Sequence, residues 1–218
     1  MKCAVVFDMD GVIVDTNPHH EKAFLAFFRQ YNLSIDDTDF AKHMYGKHNS
    51  YIMSHFFGRN IQGEELQVLE DEKEAMFREI YREIVDPISG FTPFLKRLKE
   101  AGLRTGVATS APRANLELIT TSLNLTSSME SMLASEDVKK HKPDPEIYLK
   151  SAYHLGVPTE QCLVFEDSFS GITAARAAGA KVVGVLTSHQ PDELPPCDHY
   201  IRDYQGLDAS FIMQIMQG

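Results

Sequence analysis

The sequence predicts an α/β fold, a doubly wound parallel sheet with an all-helical segment inserted after its first strand. Short apolar runs alternate with segments of helical periodicity, which is typical of parallel strands joined by right-handed crossovers. This alternation stops between residues 16 and 85, where helical patterns continue without a convincing strand. We therefore divide the chain into a sheet-forming part, residues 1–15 and 86–218, and a helical part, residues 16–85.

The strands are predicted from their nearly continuous apolar character, which a parallel sheet covered on both faces requires. Between them lie segments whose apolar residues fall on one face of a helix. The predicted strands are residues 3–7, 104–108, 162–165 and 181–186, with a weaker candidate at 129–133. The predicted helices of this part are residues 92–101, 113–123, 145–155 and 168–178.

Composition narrows the class of protein. The 218 residues include 21 Lys and Arg against 31 Asp and Glu, a net charge of −10, so a general nucleic-acid-binding surface is not expected. No apolar run approaches the roughly 20 residues that span a bilayer, and we expect no membrane segment. The three cysteines have no paired spacing, which favours reduced thiols. We expect a cytoplasmic protein, and a monomer.

Polar side chains that could carry chemistry follow the predicted strands. In an open parallel sheet, ligands bind beyond the carboxyl ends of the strands, so these side chains are expected to converge on one cleft. The candidates are Asp8 and Asp10 after the first strand, Thr109 and Ser110 after the second, Lys142 in a loop that opens a helix, and Glu166 and Asp167 after a later strand.

Ordinary structural roles are the alternatives for several of these residues. Asp8 and Asp10 precede Gly11 and could be turn formers. Ser110 and Ser168 could cap helices. Turn and cap chemistry alone would not place acids, hydroxyls and a lysine at one edge of a sheet so consistently.

Four motifs occur in the order Asp8-Met9-Asp10-Gly11-Val12, Thr109-Ser110, Lys142-Pro143-Asp144-Pro145 and Glu166-Asp167-Ser168. This order resembles the haloacid dehalogenase superfamily of phosphatases and phosphotransferases, and within it the β-phosphoglucomutase-like branch. The resemblance covers essentially the whole chain. It implies a Rossmann-like core with a helical cap inserted after the first strand.

The resemblance also implies catalytic roles. Asp8 would be the nucleophile that forms an aspartyl-phosphate, and Asp10 the general acid and base. Two carboxylates beside a phosphate require a cation, and Mg²⁺ prefers oxygen ligands. Its implied protein ligands are the Asp8 carboxylate, the Asp10 backbone carbonyl and Asp167, with Glu166 bound directly or through an intervening group.

Phosphate binding is implied at three further positions. The hydroxyl of Thr109 and the backbone N–H of Ser110, at a helix start, would bond the transferring phosphoryl group. Lys142 would supply a positive charge beside Asp8 and the phosphoryl oxygens. A surface charge is the alternative reading for Lys142.

Two residues of the helical part match positions that approach substrate in relatives. His20 is one, although an ordinary exposed helix histidine is an equal alternative. Lys73 is the other, and a surface pair with Glu70, three residues before it, is its alternative. No His-Glu-x-x-His spacing occurs, so a zinc site is not expected.

The loop at residues 45–50 matches the cap loop that faces substrate in this branch, and it includes Gly46 and Lys47. Asn49 stands where β-phosphoglucomutases carry an arginine that grips a second phosphate. An amide cannot reproduce the bidentate contact of a guanidinium, although Lys47 or His48 could substitute.

We therefore expect a Mg²⁺-dependent phosphatase acting on a small phosphorylated metabolite, a sugar phosphate by preference. A hexose phosphate mutase is the alternative, and a non-catalytic sugar-phosphate sensor is a further one. A dehalogenase is not expected, because those relatives lack the second acid that Asp10 provides.

Overall fold

The computed structural model describes residues 3–44 and 49–217. The chain divides into two compact units, which we describe separately. The sheet unit comprises Met1–Thr16 and Val85–Gly218, and the helical unit comprises Asn17–Ile84.

In the described part of the chain, the strands of the sheet unit form one six-stranded sheet in the order β3-β2-β1-β4-β5-β6, and every neighbouring pair is parallel. The predicted α/β class with a doubly wound parallel sheet is therefore confirmed. The strands are β1 Ala4–Phe7, β2 Arg104–Ala108, β3 Ser131–Leu133, β4 Cys162–Glu166, β5 Lys181–Val185 and β6 His199–Ile201.

The described part of the chain also contains α-helices in both units. Those of the helical unit are α1 Asn17–Gln30, α2 Asp37–Met44, α3 Asn49–Phe56 and α4 Gly63–Tyr81. Those of the sheet unit are α5 Phe91–Glu100, α6 Arg113–Ser122, α7 Glu146–His154, α8 Phe169–Ala177 and α9 Ala209–Gln217.

The register of the central strands brings their carboxyl ends to the same edge of the sheet. Phe7, the last residue of β1, pairs with Val107 of β2 and Phe165 of β4. The ladder extends past the strand, since the Asp8 N–H donates to the Phe165 carbonyl at 2.9 Å. The residues that follow these three strands therefore lie near one another.

The two faces of the sheet bury different side chains, because successive strand residues point to opposite faces. One face packs Ala4 and Val6 of β1 in a cluster with apolar residues of α7 and α8. The other face carries Phe7, whose ring contacts Phe91 of α5 edge-on at 5.2 Å between centroids and Tyr204 at 6.3 Å. Each buried aromatic side chain contributes about 1.5–3 kcal/mol to folding, so the central strands are anchored from both sides.

The helical unit has an apolar core of its own. Phe24, Phe27 and Phe28 of α1 are buried, and their spacing forms one apolar stripe on that helix. They pack in a cluster with Phe40 of α2 and Leu69 of α4. Helices α1 and α4 are accordingly neighbours within this unit.

Among the described strands and α-helices of the sheet unit, two are absent from the sequence prediction, β6 and α9. Strand β6 has three residues and pairs only with β5 at the edge of the sheet, so it leaves a weak periodic signal.

Across residues 3–44 and 49–217, none of the helices combines the length and apolar character needed to cross a membrane.

Candidate active site

The turn after β1 presents two carboxylates at the carboxyl edge of the sheet. It is closed by a hydrogen bond from the Gly11 N–H to the Val14 carbonyl at 2.8 Å. Asp8 is buried at the start of the turn. The Thr16 hydroxyl donates to Asp10 Oδ1 at 2.6 Å, and Thr16 is itself fully buried. The position of the Asp10 carboxylate is thus set by a buried partner within the sheet unit.

Lys142 is the central cation of the site. Its Nζ donates to Asp8 Oδ1 at 2.6 Å, to Glu166 Oε1 at 2.7 Å and to the Ala108 carbonyl at 3.1 Å. Only 4% of its side chain is exposed. The surface-charge reading of Lys142 is therefore wrong, and the lysine lies beside Asp8 as expected.

Glu166 is enclosed by donors. Its Oε1 accepts from Lys142 and from the Tyr148 hydroxyl at 2.9 Å, and its Oε2 accepts from the Asp167 N–H at 2.9 Å and from both the N–H and the hydroxyl of Ser168. These five bonds engage the lone pairs of both carboxylate oxygens. Of the two sequence alternatives, the geometry favours Glu166 as a partner of Lys142 and not as a direct metal ligand.

Glycine is required at position 11. Its φ of +74° lies in the left-handed region, and a Cβ there would stand 2.0 Å from Asp167 Oδ2. The Ser188 hydroxyl bonds that same carboxylate oxygen. Thr187 Oγ1 donates to the Gly11 carbonyl at 2.5 Å. The turn after β1 and the residues after β5 therefore enclose Asp167 between them.

Sequence reasoning missed Tyr148 and the role of Gly171. Tyr148 is fully buried on α7, and its ring lies 4.9 Å from Lys142 Nζ. Gly171 lets α8 approach the sheet, since a Cβ there would meet Glu166 Oε1 at 1.6 Å. In the sequence Tyr148 resembles an ordinary apolar helix position, so only its place three residues after Pro145 could have signalled it.

The carboxylates shift one another's protonation. Burial raises the pKa of Asp8 well above its ordinary value, Lys142 lowers it, and Glu166, Asp167 and Asp10 raise it further. Burial would lower the pKa of Lys142, but Asp8 and Glu166 outweigh this effect and raise it well above the ordinary value. Lys142 is accordingly held in its charged form.

Asp167 and Glu166 respond in opposite directions. Burial, followed by the neighbouring Glu166, raises the pKa of Asp167 to about 8. For Glu166, burial acts upward, but Lys142 and the bonds from Ser168 lower its pKa. Asp8, Asp10, Glu166 and Asp167 thus place four carboxyl groups around one lysine, and this excess of oxygen donors fits a hard divalent cation.

Thr109 follows β2 at the same edge and is buried. Its N–H donates to the Leu133 carbonyl at 3.0 Å, and its Oγ1 accepts from the Ala111 N–H at 3.0 Å, which leaves the hydroxyl proton available as a donor. Ser110 is exposed in the turn that precedes α6. Because α6 begins at Arg113, Ser110 is neither at the helix start nor its cap, and both of those expectations are wrong.

Ser168 is the N-cap of α8, which is the structural role that the sequence allowed for it. Its side chain accepts from the Gly171 N–H at 3.1 Å. The same hydroxyl donates to Glu166 Oε2 at 2.9 Å. One residue therefore begins the helix and positions a carboxylate of the site.

Within the helical unit, the buried Lys73 lies beside the partly buried His20. Lys73 is 2% exposed, bonds Glu74, and lies 3.4 Å from His20 Nδ1 and 4.6 Å from the centroid of the Phe24 ring. His20 stacks on Phe77 at 3.9 Å between ring centroids. The alternatives of an exposed histidine and a surface pair of Lys73 with Glu70 are therefore wrong.

The protonation of His20 reflects this setting. Burial, followed by the charge of Lys73, lowers the pKa of His20 to about 3. The ring is therefore neutral at physiological pH, and it presents one donor and one acceptor nitrogen.

Asn49 and Glu70 are hydrogen-bonded to each other, across α3 and α4. Burial raises the pKa of Glu70, while the Asn49 bond and Lys73 lower it. The sequence candidates Gly46 and Lys47, like His48, lie outside the described residues.

Comparison with known proteins agrees with this architecture. The family model described as haloacid dehalogenase-like hydrolase matches residues 5–185. Fructose-1-phosphate phosphatase YqaB of Escherichia coli is 33% identical over 183 residues, which cover 83% of this chain and 95% of that protein. A phosphorylated carbohydrates phosphatase of Thermotoga maritima is 32% identical over 192 residues, covering 85% of this chain and 86% of the relative.

Solved structures show the same similarity. The crystal structure of β-phosphoglucomutase from Clostridium difficile superposes with a TM-score of 0.83 at 25% identity, covering 100% of this chain and 98% of the other. The resemblance noted from the four sequence motifs is thereby confirmed. The chain belongs to the haloacid dehalogenase-like hydrolase family, in its β-phosphoglucomutase-like branch, and is an enzyme of the phosphoric monoester hydrolase class.

Proposed function

We propose that this enzyme is a Mg²⁺-dependent phosphatase that hydrolyses a phosphorylated sugar through a phosphoryl group carried on Asp8. The observation that carries the proposal is the buried contact of Lys142 with Asp8 at 2.6 Å and Glu166 at 2.7 Å, at the carboxyl edge of the sheet. An ion pair with a purely structural role would not need the further acids Asp10 and Asp167 in the same site. Asp10 and Asp167 give the site its acid–base and cation-binding capacity.

In the first step, a carboxylate oxygen of Asp8 forms a bond to phosphorus and the bond from phosphorus to the sugar oxygen breaks. Asp10 donates a proton to the departing sugar oxygen, which leaves as an alcohol. Lys142 lowers the pKa of Asp8, which favours its ionised form, and offsets negative charge on the phosphoryl oxygens. The Thr109 hydroxyl donates to the same oxygens.

In the second step, water attacks the phosphorus of the phosphorylated Asp8. Asp10, now ionised, takes a proton from that water, and the bond from phosphorus to the Asp8 oxygen breaks. Inorganic phosphate is released and both carboxyl groups return to their starting states. The bond from the buried Thr16 supports this double role, because it holds Asp10 in one place while the carboxyl group exchanges the proton.

Asp8, the backbone carbonyl of Asp10 and Asp167 would hold the Mg²⁺ ion. When bound, the ion neutralises charge on the phosphate and on the carboxylates around it. Glu166 contributes indirectly, because its donors already occupy it and it fixes the position of Lys142.

A sugar phosphate is the proposed substrate class because two relatives are named for fructose 1-phosphate and phosphorylated carbohydrates. We propose the helical unit as the cap that selects the sugar. The contact of Asn49 with Glu70 supports hydrolysis over mutase activity, since a carboxylate beside position 49 would repel a second phosphate.

A phosphate-release screen tests the proposal. Metal-stripped enzyme is assayed against hexose, pentose and hexitol phosphates, nucleoside monophosphates and phosphorylated three-carbon acids, with and without Mg²⁺. We expect release from sugar phosphates only when Mg²⁺ is present, and loss of that release in Asp167→Asn. Full activity in excess chelator would overturn the metal assignment, and faster isomerisation of hexose phosphates than phosphate release would overturn the phosphatase assignment.

A further inference from the structure

A second cluster of metal-ligating side chains lies in the helical unit, on α2 and α3. Asp39 and His43 are one turn apart on α2, and His55 is on α3. His55 Nε2 lies 3.2 Å from Asp39 Oδ2, and His43 Nε2 lies 3.5 Å from Asp39 Oδ1. One ligand atom from each residue can be chosen so that all three lie within 4.8 Å of one another.

We infer that Asp39, His43 and His55 form a binding site for a divalent transition-metal ion, with Zn²⁺ as the best match. Two imidazoles and one carboxylate are a ligand set that Zn²⁺ accepts, with a fourth position left for water. Mg²⁺ is a poor match, because it prefers oxygen ligands and octahedral geometry. The site is therefore chemically distinct from the carboxylate cluster of the sheet unit.

The spacing of the ligand atoms supports this assignment. Tetrahedral coordination at about 2.0–2.2 Å from zinc puts neighbouring ligand atoms roughly 3.3–3.6 Å apart. The two nitrogen–oxygen distances, 3.2 and 3.5 Å, are close to that range, but they end on different oxygens of Asp39, so the carboxylate must rotate to bring one oxygen near both nitrogens. Coordination requires the two imidazoles to tilt from their parallel stacking, which has centroids 3.8 Å apart and planes 14° apart.

A hydrogen bond on the far side of the His43 ring also supports a metal site. Its Nδ1 lies 2.6 Å from the Tyr51 hydroxyl. Metal-bound histidines almost always pair their other ring nitrogen with a hydrogen-bonding partner, which fixes the orientation of the ring. Tyr51 is in that place, so Nε2 of His43 is directed at Asp39.

An ion pair of Asp39 with two protonated histidines explains these contacts less well. A single carboxylate faces two stacked imidazoles, and protonating both rings to pair with it would place two positive charges 3.8 Å apart. A metal ion replaces the two ring protons with one shared charge. Because α2 and α3 each supply ligands, the ion would also link these two helices.

Zn²⁺ binding tests the inference directly. Metal-stripped protein is titrated with Zn²⁺ by calorimetry in excess Mg²⁺, so that the carboxylate cluster of the sheet unit is occupied. We expect His55→Gln and Asp39→Asn each to lose one equivalent of bound Zn²⁺ or to bind it at least tenfold more weakly. Tyr51→Phe should weaken binding by about 10-fold to 100-fold without removing the equivalent.

His189→Gln is the matched control, because His189 forms a similar one-turn pair with Glu193 at 3.8 Å on a segment that offers a single imidazole. It should bind Zn²⁺ like the unaltered protein. Asp167→Asn should also retain the equivalent, which separates this site from the proposed Mg²⁺ site. Equal stoichiometry and affinity in the unaltered protein and His55→Gln would overturn the inference.

Thermal unfolding gives a second readout that does not depend on calorimetry. An ion that binds only the folded state raises the melting temperature. We expect Zn²⁺ to raise it in the unaltered protein and in His189→Gln, and to raise it less in His55→Gln. An equal rise in all three proteins would place the Zn²⁺ elsewhere.

Discussion

Lys142 shows how one residue can set the charge balance of a whole site. A buried cation with no partners would lose its proton, yet this lysine contacts Asp8 and Glu166 at 2.6 and 2.7 Å and remains charged. Removing one member of a buried ion pair leaves the other uncompensated. The lysine is therefore both a structural requirement and the charge that opposes the rise in the pKa of Asp8 caused by burial.

Lys142→Gln tests this dual role. We expect turnover to fall by about 100-fold to 1000-fold, the typical cost of losing one preorganised charged donor. Because Lys142 lowers the pKa of Asp8, the acid limb of kcat against pH should also move to higher pH. Steady-state rates across pH at saturating Mg²⁺ measure both effects.

Lys150→Gln is the matched control for that experiment. Lys150 pairs with Glu146 at 2.6 Å on the surface of α7, far more exposed than Lys142. It should leave both kcat and its pH profile unchanged. An acid limb that does not move in Lys142→Gln would contradict the proposed effect on Asp8.

His20 makes stability depend on pH. Its pKa is lowered from 6.5 to about 3 in the folded protein, so the unfolded chain binds the proton more readily. The stabilising contribution is complete above pH ~6.5 and is lost as the pH falls from there towards 3. The loss is up to about 1.4 kcal/mol per pH unit.

Urea unfolding at pH 7 and pH 5 measures this dependence. We expect the loss of unfolding free energy between these pH values to be smaller in His20→Gln by about 2 kcal/mol. His154→Gln, which removes an exposed histidine, should match the unaltered protein. Identical pH slopes in all three proteins would show that His20 is protonated equally in the folded and unfolded states.

At the scale of elements, the turn after β1 combines a backbone requirement with a steric one. Gly11 and Gly102 share a φ of +74°, but a Cβ at Gly102 would meet nothing within 4 Å, whereas one at Gly11 would meet Asp167. Gly102→Ala should therefore cost about 1–2 kcal/mol of unfolding free energy from backbone strain alone. Gly11→Ala should cost at least ~1 kcal/mol more, because of overpacking.

Chemical unfolding and Mg²⁺ titration of both variants separate the backbone strain from the steric overlap with Asp167. The Gly11 variant should also show a weaker Mg²⁺ response, because the added methyl displaces the Asp167 carboxylate. The Gly102 variant should retain the normal response. Equal destabilisation of the two variants would mean that the turn yields to the methyl group without moving Asp167.

The hydrogen bond between Asn49 of α3 and Glu70 of α4 is relevant to the choice between phosphatase and mutase activity. An arginine introduced at position 49 would meet the Glu70 carboxylate, which now bonds Asn49. We expect Asn49→Arg alone to change sugar bisphosphate binding little. Asn49→Arg with Glu70→Gln should tighten bisphosphate over monophosphate by roughly tenfold, or about 1.5 kcal/mol.

Calorimetry in an Asp8→Asn background, which prevents turnover, measures this selectivity. Glu70→Gln alone is the control and should not discriminate between the two ligands. Tightening by Asn49→Arg alone to the level of the double variant would show that Glu70 does not control this position.

Elements with strong periodicity could be predicted from the sequence, and those that depend on tertiary contacts could not. Strand β2 occupies the predicted residues 104–108, because its apolar run is continuous. Helix α9 has apolar residues but was not predicted, and Tyr204 before it gave no signal of its place in the aromatic cluster around Phe7. That packing joins residues almost 200 positions apart, which no local pattern reveals.

For the whole molecule, the same distinction applies to the candidate site. The order of motifs along the chain predicted the neighbourhood of Asp8 and Lys142, because parallel strands share one carboxyl edge. The burial of Lys73 could not be predicted, since helix α4 is rich in acids and its sequence predicts an amphipathic helix with charged residues on a solvated face. The cluster of Asp39 with two histidines also escaped, because His43 and His55 come together only through the packing of α2 on α3.

The net charge of −10 also acts at the scale of the whole molecule. An acidic protein repels a phosphate ester at a distance, so local cations must reverse the potential at the site. Lys142 supplies one positive charge among four carboxyl groups. The remaining imbalance is the physical reason that the proposed reaction requires a divalent ion.

The most direct test of the proposed mechanism is to trap the phosphoryl group on Asp8. In Asp10→Asn, p-nitrophenyl phosphate has a leaving group good enough to depart without an acid, but water can no longer be activated by Asp10. We predict a burst of about one equivalent of nitrophenol, and peptide mass spectrometry after acid quenching should find phosphate on Asp8. The Asp8→Asn, Asp10→Asn double variant should show neither. Phosphate on another residue, or steady turnover without a burst or a labelled peptide, would contradict the account.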